Sequence, residues 1–339
     1  MSRYTIIFRG FAILMFSLWL SLQIYALIVQ RKGDSPLPPL FGNFPAIRAH
    51  LERDTEDGDF SFAVVGDTKS IGTFEKIVEH LRRTPISFAV LLGDCSSGGS
   101  EEHHRYFRSE CAEEYALSVP VFYVVGNHDV NPVKFPFERF EEMYGPSIFK
   151  FEYRKCLFIV LRILDAPYSN KESMDFLEEL SQTDLRKYRY KFVFMHIPPP
   201  VSPFIKARQY KESAQLEAMF DKMGIDYVFA GDFHGYAESR KPKTTYIITG
   251  GGGSNLRKVP ANQFHHAVVC RVAENSIDKR IIYVPETKYF EDRLEKFAII
   301  SFYPWMQKNV YLLIATDVLC ILCIIALMKS VTIKKKENK

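Results

Sequence analysis

The chain has 339 residues, 47% hydrophobic and 25% charged, with a net charge of +4. An aromatic share of 14% excludes a disordered chain, and six cysteines over this length exclude a disulfide scaffold. The near balance of 44 basic and 40 acidic residues leaves no electrostatic footprint for nucleic acid, and none is expected as a partner.

The first element is an apolar run, Phe11–Val29, with no charge in it. The last is Val310–Met328, with one. Each is long enough to cross a hydrocarbon core of roughly 30 Å as a helix. A cleaved signal peptide is the competing reading of the first run. The run is long and no small-x-small site follows it, so an uncleaved anchor is expected. Lys329, Lys334, Lys335 and Lys336 follow the second run and should hold the C-terminus in the cytoplasm. Two spans return the N-terminus, with Arg3 and Arg9, to the same side, although Arg31 and Lys32 argue mildly against it. The division expected is a cytoplasmic N-terminus (1–10), a transmembrane helix (11–29), a linker (30–59), an outer domain (60–304), a second transmembrane helix (305–328) and a basic cytoplasmic tail (329–339). The lipid bilayer is thus an expected partner. With no Asn-x-Ser/Thr acceptor anywhere in the chain, the periplasmic side of a bacterial inner membrane is the expected location. Asp317 lies inside the second run, where a carboxylate is costly and seeks a partner; Ser21 and Gln23 lie at similar depth on the first.

Within the domain, short runs rich in Val, Ile, Phe and Tyr predict strands at Ser61–Val65, Ser87–Leu92, Val121–Val125, Leu157–Leu164, Lys191–Met195, Asp226–Ala230 and Thr245–Thr249. Helices are predicted between them at Gly72–Arg82, Glu101–Tyr115, Ser173–Lys187 and Lys211–Met223. Phe264–Val272 and Lys279–Val284 read as further strands. The class is α/β with a strand-rich end.

Polar residues cluster where these runs stop. Val65 leads to Gly66-Asp67-Thr68-Lys69, Leu92 to Gly93-Asp94, and Val125 to Gly126-Asn127-His128-Asp129. Met195 leads to His196, and Ala230 to Gly231-Asp232-Phe233-His234. Residues just past strand ends gather along one edge of an α/β sheet. Carboxylates, an amide oxygen and imidazoles together suit Mn, Fe or Zn.

Five such clusters in this order resemble the calcineurin-like metallophosphoesterase superfamily, and within it a bacterial branch like the purple acid phosphatases. The resemblance covers about Phe60–Val284. It implies a sandwich of two mixed β-sheets flanked by helices, here with a transmembrane helix at each end. It also implies two divalent metal ions and a phosphorylated substrate. Asp94 would bridge the ions, Asp67 and His234 would complete one shell, and Asn127, His196 and Asp232 would hold the other. A hydroxide bridging the ions would attack phosphorus in a mono- or diester. His128 would steady the transition state or protonate the leaving oxygen. Asp129 would either hold the His128 ring or serve as a turn residue.

Two departures stand out: Lys69 replaces the usual His of the first block, and Asp232 replaces the first His of the last. Ser97 stands where a purple acid phosphatase carries its tyrosine ligand. Lys69 could meet a substrate phosphate instead of an ion. The alternative is a catalytically impaired sensor that binds metal or phosphate on the same fold. Two membrane helices also make a lipid-linked phosphate a reasonable substrate. His103, His104, His265 and His266 rank lower, and strand alternation would turn at most one of the last two inward. Gly250–Gly253 reads either as an anion nest or as a close-packed turn.

Overall fold

The computed structural model describes residues 3–54, 58–69, 72–201, 210–258 and 261–337. Residues 1–2 of the expected N-terminal arm, 55–57 of the expected linker and 338–339 of the tail lie outside them. The chain opens with α1 (Arg3–Lys32) and α2 (Pro45–Glu52). There follow β1 (Phe60–Val65), α3 (Gly72–Leu81), β2 (Phe88–Leu91), α4 (Glu101–Glu113), β3 (Val121–Tyr123) and α5 (Phe137–Tyr144). The hairpin β4 (Phe149–Tyr153) and β5 (Cys156–Val160) precedes α6 (Lys171–Ser181), β6 (Tyr190–Met195), α7 (Ser213–Met223) and β7 (Tyr227–Ala230). The remaining strands are β8 (Tyr236–Lys241), β9 (Thr244–Thr249), β10 (His265–Val272) and β11 (Ile277–Val284). The chain closes with α8 (Phe290–Phe297), a π-helical turn over Ala298–Phe302, α9 (Tyr303–Lys308) and α10 (Val310–Glu337).

Two compact units divide the chain. Pro36–Tyr289 forms the α/β unit, and Met1–Ser35 with Phe290–Lys339 forms the other. In the α/β unit, one sheet has the order β11-β10-β1-β2-β3 and the second β4-β5-β6-β7-β9-β8. Both are mixed: β1-β2-β3 and β5-β6-β7-β9 are parallel, and the remaining pairs are antiparallel.

Phenylalanine explains the sandwich. Phe60, Phe62 and Val64 of β1 point to one face and Ala63 and Val65 to the other, as a period of two requires. The first set meets Phe88, Phe122, Phe151, Phe158, Phe192, Phe194 and Phe229 between the sheets. The Phe62 ring stacks on Phe88 at 5.2 Å and meets Phe192 edge-on at 5.3 Å. A fully buried side chain of this kind contributes about 1.5–3 kcal/mol by removal from water. The second set belongs to a further apolar cluster that also takes in buried residues of α3, α4, α6 and α7. Both faces of each central strand are therefore covered, which is why these strands read as continuous apolar runs.

The expected linker is not one. Phe41 is 3% exposed and pairs with Val121, extending the β3 edge. Asn43 is fully buried, donating to the Tyr123 and Pro146 carbonyls and accepting the Tyr123 N–H. Ile47 and Leu51 of α2 join the inter-sheet core. A few apolar residues and one saturated Asn thus dock a segment whose Pro and charge content suggested a spacer. At the other end, Phe290–Pro304 belongs with the terminal helices and not with the outer domain.

The terminal unit contains two helices long and apolar enough to cross a membrane, Ile7–Lys32 and Val310–Leu327. Their apolar segments are only 17% and 6% buried, so neither is the core helix of a globular unit.

Candidate metal centre

The strand order brings the five clusters together. Asp67 follows β1, Asp94 follows β2, and Asn127 and His128 follow β3; His196 follows β6, and Asp232 and His234 follow β7. Backbone bonds tie these ends to one another. Asp67 N–H donates to the Gly93 carbonyl at 3.0 Å, Gly231 N–H to His196 at 2.9 Å, and Asp232 N–H to Asp67 Oδ2 at 2.9 Å. Asp67, Asp94 and Asp232 all have left-handed backbones, with φ of 58°, 53° and 60°. Aspartate tolerates that region better than most residues, and the Asp67 and Asp94 carboxylates face the same centre. Gly126 is required for closeness: a Cβ there would lie 2.2 Å from Asp94 N and 2.4 Å from Asp94 Oδ1.

Asp67, Asp94 and His234 form one cluster, with ligand atoms all within 4.8 Å of one another. His234 Nε2 is 3.3 Å from Asp67 Oδ1. On the other side, His196 Nε2 lies 3.3 Å from Asp94 Oδ1 and 3.2 Å from Asn127 Oδ1. The backbone sets both histidine orientations. His196 Nδ1 faces the Leu92 carbonyl at 2.7 Å and His234 Nδ1 faces the Asn255 carbonyl at 2.9 Å. Each Nδ1 therefore carries a proton, and each Nε2 faces the centre, where it offers a lone pair whenever the ring is neutral.

That arrangement is short of positive charge, with three carboxylates, those of Asp67, Asp94 and Asp232, near one ammonium, that of Lys69. Asp67 Oδ1 is buried with no hydrogen-bond donor. Asn127 Oδ1 and His196 Nε2 are two acceptors face to face, reconciled by a second proton on His196 or by a cation. Burial pulls His196 down, yet Asp94, Asp67 and Asp232 around it push its pKa up to about 9. Burial also raises Asp67 above the usual carboxylate range. It acts on Asp94 in the same direction, but His196, Lys69 and His128 outweigh it and hold Asp94 below that range. An orphaned carboxylate oxygen and converging Nε2, amide and carboxylate donors make a fitting cage for divalent cations.

His128 is 45% exposed, with Nε2 3.8 Å from Asp94 Oδ2 and its backbone N–H donated to Asp94 Oδ1 at 2.9 Å. Lys69 Nζ lies 3.4 Å from Asp94 Oδ2. The Asp129 carboxylate, read from the sequence either as a support for the His128 ring or as a turn residue, is engaged by backbone groups. Its Oδ2 accepts the Asp94 and Gly126 N–H groups at 2.8 and 2.7 Å, and its Oδ1 accepts that of Ser96 at 2.9 Å. Asp129 is the post on which the Asp94 and Asn127 loops hang. Burial and then the Asp94 charge raise its pKa to about 7.

The lower-ranked residues are structural. His104 is buried against Phe135 at 3.8 Å, bonded through Nδ1 to Tyr144 Oη and through Nε2 to the Asp129 carbonyl. His265 and His266 are both buried, contrary to the alternation argument, because β10 is covered on both faces. Gly250 and Gly252 give their N–H groups to the Gly235 and Gly66 carbonyls, and a Cβ on Gly250, Gly251 or Gly252 would meet neighbours within 2.5 Å, as the close-packed reading of this turn expects. Sequence reading missed the loop after it, where the Asn255 carbonyl orients His234 and Ser254 N–H holds the Asp67 carbonyl. Carbonyls are common to every residue, so no side-chain pattern could have disclosed them.

A family model described as calcineurin-like phosphoesterase matches residues 60–236, more than half of the chain. Purple acid phosphatase 18 of Arabidopsis thaliana is 23% identical over 228 residues, covering 61% of this chain and 52% of its own. The chain thus spans about half the length of that relative. Among solved structures, a purple acid phosphatase from yellow lupin seeds superposes with a TM-score of 0.55 at 14% identity, over 70% of this chain and 55% of that one. A dimetal phosphatase from Danio rerio gives 0.52 at 14% identity, over 68% and 98%. GAP50, described as the anchor in the inner membrane complex of Plasmodium, gives 0.50 at 13% identity, over 72% and 95%. At these identities the structural likenesses concern the fold alone.

Proposed function

The chain belongs to the calcineurin-like phosphoesterase family, and from that premise we propose that it is a membrane-anchored hydrolase of phosphate mono- or diesters that works with divalent cations. The observation that carries this is the pair of imidazoles whose Nε2 atoms converge with Asp67, Asp94 and Asn127 on one centre rich in carboxylate. Asp67, Asp94 and His234 would hold one cation; Asn127, His196 and Asp232, with Asp94 shared, would hold the other. Bound cations would neutralise phosphate charge and make water more acidic.

The protein's own groups do the rest. Half-exposed His128, fixed through its backbone N–H to Asp94, offers a proton to the departing ester oxygen. Lys69 supplies a positive charge beside it for a phosphate oxygen. Asp129 keeps the His128 and Asp94 loops in register from beneath.

Hydrolysis of an aryl phosphate and an aryl phosphodiester with added Mn tests this. His128→Ala should lower the rate by about 100-fold or more, as loss of a general acid does. No turnover by the wild-type chain with Mn, Fe or Zn on either ester would favour the second reading, a metal- or phosphate-binding module. Lys69 at Asp94 is the observation on its side, and the name of the Plasmodium relative, an anchor, is consistent with it.

The two exposed apolar helices are in keeping with anchoring in a bilayer, and the orientation we propose, with both termini cytoplasmic and residues 36–289 outside, rests on the lysines that follow the second helix. Reporter fusions at the two ends check the topology: an external N-terminus overturns it.

A further inference from the structure

The two oxygens of Asp94 face different neighbours. Oδ1 faces His196 Nε2 at 3.3 Å and accepts the His128 backbone N–H at 2.9 Å. Oδ2 faces the Lys69 ammonium at 3.4 Å and His128 Nε2 at 3.8 Å. The Oδ1 side is the Asn127–His196 side. On the Oδ2 side, the chain already supplies a positive charge of its own.

The backbone places that charge. Lys69 has a φ of 49°, and its N–H donates to the Asp94 carbonyl at 3.2 Å. Lysine shares none of aspartate's tolerance for left-handed backbone, so this turn is held by its surroundings. The Lys69 side chain is only 20% exposed and the Asp94 side chain 2%. The pair is thus screened much less than a surface ion pair.

An oxygen paired with an ammonium donates less to a metal ion, and two cations on one oxygen repel. On the reading proposed above, the geometry points to Lys69 as a built-in competitor for the cation that Asp67, Asp94 and His234 would hold. The Asn127–His196 side fills first. The Asp67–His234 side fills only as Lys69 leaves Asp94. The centre therefore binds its two ions in separate steps, and the weaker step is set by a residue that is itself no ligand.

Titration of the full chain in detergent with Mn, read as ions bound per chain and their affinities, tests this without reference to activity. Wild type should bind two Mn in steps at least about tenfold apart in Kd, a difference equivalent to about 1.4 kcal/mol. Lys69→Met keeps the stem and removes the charge. It should tighten the weaker step by about tenfold or more and leave the stronger one nearly unmoved. Lys69→Arg should keep the weaker step weak. In the wild-type chain, acylation of Lys69 by a small anhydride, read by mass spectrometry, should rise as the second step fills; this decides the matter should Lys69→Met fail to fold. An unmoved weaker step in Lys69→Met, two equal steps in wild type, or acylation indifferent to Mn overturns the competitor. Mn binding by wild type and Lys69→Met no better than by Asp94→Asn overturns instead the metal centre on which it rests.

Discussion

Asp94 is steered by residues that never enter the centre. The Asp129 carboxylate gathers three N–H groups from two loops, and His104 takes the Asp129 carbonyl in turn at 2.6 Å. His104 donates this bond through Nε2–H, and it is burial, not the bond, that keeps the ring neutral. Burial pushes its pKa down to about 3, and burial likewise lowers His266, bonded to Thr249 and Phe264, to about 4. An unfolded chain protonates both near pH 6.5, whereas the folded chain does not. Below pH 6.5 the unfolded state binds more protons, so stability is full above that pH and is lost as pH falls toward 4. Each such histidine costs up to about 1.4 kcal/mol per pH unit over that window. The melting temperature should fall from pH 6.5 to 4, and His266→Gln should flatten the slope whatever it does to stability at neutral pH. An identical slope in wild type and variant would show that His266 takes its proton in place.

Individual elements show why some of the fold was legible and some was not. Strands β1, β2, β6 and β7 announce themselves because both faces are covered and each ends at a polar block, and their observed bounds lie within a residue or two of those expected. The β5 run was expected to reach Leu164 but stops at Val160; Leu161–Leu164 is buried coil, and apolar character reports burial, not pairing. Strand β8 was missed because an edge strand of sequence YAESRK has no apolar face to display. Strand β4 does alternate, burying Phe149, Phe151 and Tyr153, but over only five residues. Helices α2 and α5 are eight residues each, too short for a 3.6-residue period to stand out. At the centre, the residue types and their order were readable, since a cation needs those side chains. The histidine tautomers were not, since they depend on the Leu92 and Asn255 carbonyls, brought in from other segments.

At the scale of the whole molecule, the terminal helices come from opposite ends of the sequence and pair with each other. Asp317 Oδ1 accepts Gln23 Nε2 at 2.7 Å and Trp19 Nε1 at 2.9 Å. Depth along the two runs predicted Gln23; Trp19 joins it in place of Ser21. The Trp19 ring meets Phe302 and Trp305 edge-on at 5.9 and 6.2 Å, so the aromatic cluster and the carboxylate share one anchor. At the helix ends, Lys32 lies 3.7 Å from Glu295. On the anchoring proposed above, the helices would lie in hydrocarbon, where there is little hydrophobic drive between helices and polar contacts of this kind contribute about 0.6–2 kcal/mol to pairing. Asp317→Leu leaves the Trp19 and Gln23 donors without their shared acceptor, whereas Asp317→Asn keeps an oxygen in place. Melting of the terminal unit in detergent, followed by Trp fluorescence, should fall by several degrees for Leu and far less for Asn. If Leu melts with wild type, the helices are held by packing alone and Asp317 is a tolerated passenger.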